Sequence, residues 1–258
     1  MRSFVLLLAI FALASVSEIA LAQGPTSIPE STKQLIVTVP DGWNTHRASM
    51  WQFQRAKAGG AWNIVSAQPT SVLLGKNGSA WGLGILPVPH GQQGIPSKQE
   101  KDGRAPAGCF RIGKLYGYAA AAPTGATIPF DQVTARDCWI DDISHPAYNK
   151  HVEVDTNNLP PWYAKQRMRL GDFAYEWLME IRHNSDPPKP GAGSAIFFHI
   201  RRGQDSPTAG CTTMAKEQLV GLIKWIKPEA QPLYVLLPKA EYNARLKSWA
   251  LPALPKQQ

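Results

Sequence analysis

The chain has 258 residues with a formal net charge of +8, 44% hydrophobic residues and three cysteines. That is enough apolar content to bury a core as one domain or two small ones. The basic balance favours anionic surroundings, yet no basic patch interleaved with stacking aromatics, and no binding module, marks a nucleic-acid partner.

Residues 1–22 read as a secretory signal: Arg2 is followed by an apolar run from Phe4 to Ala14, and Ala20-Leu21-Ala22 supplies a small-x-small cleavage site. The run is too short to span a bilayer, which needs about 20 apolar residues. The expected product is therefore residues 23–258, exported and without stable membrane insertion, still at +8 because Arg2 and Glu18 leave together.

After a polar lead, "QLIVTVP" from Gln34 alternates as a strand, and "SMWQFQRA" and "TSVLLGKNGSAWGLGIL" read as further strands, with Asn77-Gly78 as a hairpin signal. His90 to Pro106 reads as a long loop. "YEWLMEIRHN" predicts a half-buried strand with Tyr175, Trp177, Met179 and Ile181 on one face. "SAIFFHI" predicts a central strand ending at His199. Leu219, Leu222, Ile223 and Ile226 follow a helical period that Pro228 stops, "PLYVLLP" is a last strand, and the tail "LPALPKQQ" is expected to fray.

An odd cysteine count in an oxidising compartment points to one disulfide and one free thiol, or to intermolecular pairing. Cys109 and Cys138 either pair or stay buried and reduced, leaving Cys211 on the turn "SPTAGC" as the thiol of interest. A nucleophilic cysteine needs a thiolate, a base and oxyanion donors. His199 is the candidate base, backbone N–H groups around Gly210 and Cys211 are candidate oxyanion donors, and Arg201 and Arg202 are candidates for holding a substrate carboxylate. Proximity to a protonated imidazole predicts a lowered thiol pKa. Asp141-Asp142 is expected to anchor a loop, and Asn184 and Tyr148-Asn149 either line the cleft or bond loop backbone. His46, His90, His145, His151 and His183 have no metal-ligand spacing and read as solvated or capping.

"SAIFFHI" followed by "SPTAGCTTM" resembles the catalytic core of the L,D-transpeptidase (YkuD-type) family, and "KQEKDGRAPAGCFRIGKLYGYA", "CWIDDISHPAYNKHV" and "YEWLMEIRHN" extend the likeness over most of residues 50–238. The short gap between His199 and Cys211 is similar to that of its periplasmic branch. The resemblance implies a mainly β single domain with a few helices, of sandwich type, in the periplasm. It implies Cys211 as nucleophile, His199 as base, Gly210 in the oxyanion turn, Asn184 at the substrate cleft, and no metal or organic cofactor. The implied partners are peptidoglycan peptide stems, crosslinked through a thioester. Two positions depart from the family pattern: Ala209 stands where many relatives have histidine, and Thr213 where they have arginine. Water as acceptor would instead make the chain a wall hydrolase, and loss of catalysis would leave a wall-binding protein.

Overall fold

The structure is a computed structural model that describes residues 24–255; the expected signal segment lies outside the described residues. The strands are β1 (Gln34–Pro40), β2 (Arg47–Gln54), β3 (Asn63–Ile64), β4 (Thr70–Leu73), β5 (Ser79–Trp81), β6 (Ala105–Gly117) and β7 (Phe130–Gln132). They continue with β8 (Asp137–Trp139), β9 (His151–Glu153), β10 (Trp177–Ile181), β11 (Phe197–Ile200), β12 (Thr212–Met214) and β13 (Leu233–Leu236). Helices are α1 (Tyr163–Gln166), α2 (Lys216–Trp225) and α3 (Lys239–Arg245), with 3₁₀ turns at Phe173–Tyr175 and Pro228–Ala230. None of these helices is long and apolar enough to cross a membrane.

The expectation of a mainly β chain holds. One ladder closes on itself: β1-β13-β6-β10-β11-β12-β4-β2, with β2 returning to β1. β1 makes the closure by pairing with β13 in parallel and β2 in antiparallel. That accounts for burial on both faces of β1, where Leu35, Ile36 and Val37 are all sealed from solvent. The Asn77-Gly78 signal gives a tight turn, Gly78 N–H donating to Gly75 O across a single antiparallel bridge that no longer ladder extends. β4 leaves for β2 and β12, and β5 pairs in parallel with β6.

α2 forms where the helical period lies and buries Leu219, Leu222 and Ile223 against the main core. The tail does not fray over its described part: Leu251 is buried, Leu254 packs on the core, and the Tyr242 hydroxyl donates to Pro252 O at 2.7 Å. Tyr175 is not on a strand. Asp172 accepts from Ala174 N–H at 2.8 Å and nucleates a 3₁₀ turn that delays β10 until Trp177. β10 itself has two apolar faces, Trp177, Met179 and Ile181 entering the main core and Leu178 entering a second cluster with Tyr116, Trp139 and Phe197. That second cluster is the floor under Cys211.

Candidate active site

β11 alternates Phe197 and His199 toward the second cluster with Phe198 and Ile200 toward the main core. β11 and β12 run parallel, so the chain must cross over between them, and the crossover carries Arg201, Arg202 and the Thr208–Cys211 turn. The register Phe198↔Thr212 and His199↔Thr213 puts Cys211 beside Phe197, two positions along from His199 on the same face. At about 3.3 Å rise per residue and about 4.8 Å between strands, their Cα atoms are about 8 Å apart. Both side chains line one cleft, and no hydrogen bond joins them in this structure.

His199 is 3% exposed, and its Nδ1 lies 2.9 Å from the Ile200 carbonyl. A carbonyl only accepts, so Nδ1 carries the proton and Nε2 is the basic nitrogen. Burial pushes the imidazole down to about 4; the Ile200 carbonyl opposes that shift and the Arg202 charge adds to it. At neutral pH His199 is therefore an unprotonated base. Its ring meets the edge of Tyr175 at 5.0 Å and 81°.

Thr208 builds the turn that presents Cys211. Its backbone is tied to Leu74 O and Lys76 N–H, and its hydroxyl accepts from Gly210 N–H at 3.0 Å and donates to Cys211 O at 2.7 Å. Gly210 is required there: its φ is 155°, and an added Cβ would stand 2.8 Å from the Arg104 carbonyl. Thr208 occupies the Gly210 N–H, so Gly210 shapes the turn expected around Cys211 without offering a free donor of its own. The Cys211 N–H, with no protein acceptor among the described residues, is the donor the turn still offers.

The three cysteines are all free, so the Cys109–Cys138 disulfide expectation gives way to its alternative, buried thiols. Cys109 sits on β6 opposite Val235 in the main core, and Cys138 on β8 opposite Val152 in a separate small cluster. Cys211 is the partly exposed one, its Sγ–H directed at Ala195 O at 3.5 Å. Burial pushes this thiol up to about 11, against the pull of the Phe197 backbone, Lys98 and Arg202. The lowered thiol expected from an imidazolium partner is not found, because His199 is itself desolvated and neutral.

Cys211 stands where two recesses meet. One, of about 350 Å³, is polar and lined by Lys98, Glu100, Lys101, Ser194, His199 and Arg202. The other, of about 190 Å³, is walled by Trp139, Met168, Leu170, Leu178 and Phe197. Asp141, Tyr175, Ala195 and Cys211 belong to both.

Arg202 lines the cleft but is already engaged: it ion-pairs with Asp172 and lies 5.0 Å from the Tyr175 ring. Asp172 thus caps the 3₁₀ turn with one oxygen and holds Arg202 with the other, fixing Tyr175 against His199. Arg201 does not line the cleft. Asn184, expected at the substrate cleft, is buried and spent on its own loop. Its amide donates to Lys189 O and Gly193 O at 2.9 Å, and its oxygen accepts from Lys189 N–H at 2.7 Å. Asn149 likewise bonds loop backbone at His183, Asn184 and Ala195. Asp141 and Asp142 anchor loops through Gln166 and Ser144, as expected. His183 is not solvated: it is buried, accepting from Leu83 N–H through Nδ1 and donating to Ala192 O through Nε2. Among the described residues no group of three His, Cys, Asp or Glu is arranged to hold a metal.

Thr213, at the position of the missing arginine, is buried and donates to Leu73 O at 3.4 Å, so it contributes nothing to the cleft. Sequence reasoning did not single out Tyr175, Asp172 or Lys98. Lys98 opens a segment that carries the family likeness, and its Nζ is held by Asp102 Oδ1 and Gln99 O at 2.6 Å beside the cleft.

The chain matches no protein-family model, no curated protein and no solved structure.

Proposed function

We propose that the chain is an exported, cysteine-dependent acyltransferase of L,D-transpeptidase type that crosslinks peptidoglycan peptide stems. The observation that carries the reading is the meeting of Cys211, the one partly exposed thiol of the three, with the neutral His199 in a single cleft bordered by Lys98, Lys101 and Arg202. The sequence likeness around the two residues supplies the substrate class.

In this reading Cys211 Sγ attacks a stem carbonyl while its proton passes to His199 Nε2, and the Cys211 N–H bonds the developing oxyanion. The leaving amine takes the proton from His199, and a thioester remains on Cys211. A second stem amine then attacks the thioester carbonyl, forming the new amide and returning the proton to sulfur. Because the thiol and imidazole are both neutral in the free protein, catalysis is general-base and needs substrate to draw the two side chains together. Lys98 and Arg202 are already paired with Asp102 and Asp172, whereas Lys101 lines the cleft with no ion pair among the described residues and is the cation free to meet an anionic stem.

Intact-mass analysis after incubation with a carbapenem tests the chemistry: one covalent adduct is expected, located on Cys211 by digestion. No adduct, or an adduct elsewhere, defeats the proposal. Purified muropeptides then separate acceptors, dimers marking transfer and trimmed monomers hydrolysis.

A further inference from the structure

Separate from the Cys211 cleft lies a groove of about 700 Å³ between β6, the end of β10 and the segment leading into β13. Ile85, Ile112, Ile128, Ile226 and Leu233 supply apolar wall, and Arg111, Lys114, Glu180 and Arg182 are the charged residues that line it, one acid among three bases. A groove of this kind is the arrangement by which proteins hold small amphipathic ligands.

The floor is a β-bulge. The pairing of β6 with β10 shifts between Met179 and Ile181, and Glu180 folds over Gly113, where any side chain would run into its carboxylate. The Glu180 side chain is 15% exposed, and its one hydrogen bond is from the Lys114 N–H at 3.3 Å. A carboxylate so placed is under-partnered, since it has room for about four donors. The nearest cation does not satisfy it: Arg182 Nε stands 4.0 Å from Oε1 and is itself buried without a partner, its terminal nitrogen being taken by Asp186. Lys114 is likewise taken, by Asp131 at 2.8 Å. Burial raises the Glu180 carboxyl above the usual range, as expected of a carboxylate short of donors. Arg111 lines the same groove, is exposed, and its guanidinium has no acceptor among the described residues.

We propose that this groove binds an amino acid with an apolar side chain, its ammonium on Glu180, its carboxylate on Arg111 and its side chain against Ile112 and Ile128. The two unspent charges have the signs of a zwitterion, and a ligand bearing one of them would leave the other short of a partner. Nothing in the argument depends on Cys211, so this site and the acyltransferase reading stand or fall separately.

The test is methyl NMR titration of the full exported chain with norleucine, N-acetylnorleucine and hexylamine. Norleucine is expected to shift the Ile112 and Ile128 methyls saturably, with each half-ligand at least about tenfold weaker, the loss of one charge-assisted contact. Glu180→Gln, which keeps the acceptor for Lys114 N–H, and Arg111→Gln should each weaken norleucine about tenfold while leaving Cys211 alkylation unchanged. No shift at tens of millimolar norleucine overturns the site. Equal affinity for norleucine and hexylamine overturns the role of Arg111, and equal affinity for norleucine and N-acetylnorleucine overturns that of Glu180.

Discussion

The sharpest consequence of the geometry concerns the protonation of Cys211, and thiol alkylation measures it directly. A thiol pushed up to about 11 is about 10⁻⁴ thiolate at pH 7, whereas an ordinary thiol near 8.5 is about 3% thiolate, a deficit of about 300-fold. Thiolate nucleophilicity rises with pKa at a Brønsted slope of about 0.45, which returns about tenfold over that interval. Iodoacetamide should therefore modify native Cys211 about 30-fold more slowly than a free peptide thiol at pH 7. Its rate should climb about tenfold per pH unit from pH 7 to pH 10 without levelling. The cause is desolvation beside Phe197 and Ala195 together with a His199 that stays neutral because it is buried too. His199→Ala should leave this alkylation profile nearly unchanged, since the imidazole holds no proton to share with sulfur in the resting protein. A rate that levels below pH 8 would mean a thiolate–imidazolium pair and would refute the neutral resting state.

Acylation behaves differently from alkylation: Cys211→Ala should abolish carbapenem adducts, and His199→Ala should slow them by about 10² to 10⁴-fold, measured by mass spectrometry over time. Retained acylation in either variant removes that residue from the mechanism. Native labelling should reach Cys211 alone and denatured labelling all three cysteines, since Cys109 and Cys138 are buried and unbonded; two unlabelled cysteines after denaturation without reductant would restore the disulfide. Stability should fall as the protein is acidified. The unfolded chain takes up protons at His183 and His199 near pH 6.5, while the folded chain resists until about 4. The contribution is therefore full above 6.5 and lost between 6.5 and 4, by up to roughly 3 kcal/mol per histidine. Urea melts at pH 7.5 and 4.5 measure it, and equal midpoints would show that neither imidazole is desolvated. Asp172→Asn should release Arg202 and loosen Tyr175, lowering carbapenem acylation by several-fold with little change in melting temperature; an unchanged rate would show that the Tyr175 contact does not position His199.

Much of this protein is legible without its fold, because some patterns are local. The apolar run "SAIFFHI", the period of Leu219, Leu222 and Ile223, and the small residues before Cys211 each carry their own geometry, so β11, α2 and the turn before Cys211 form where the chain says they will. The candidate pair Cys211 and His199 was readable for the same reason, since the crossover between parallel neighbours is short in sequence. What depends on distant partners was not readable. Tyr175 continues the alternation of β10, yet Asp172 caps it into a turn and Arg202, from the far side of β11, holds it at His199. Asn184 has the residue type of a binding group, but its own loop folds back and consumes its amide. Gly210 was identified as part of the turn, whereas the loss of its N–H to the Thr208 hydroxyl depends on Leu74 and Lys76 fixing Thr208. The charge states of His199 and Cys211 follow from burial, and burial is a property of the closed ring. Hydrophobic period and turn chemistry act between neighbours in sequence; desolvation, hydrogen-bond competition and ring closure act between residues that only folding brings together.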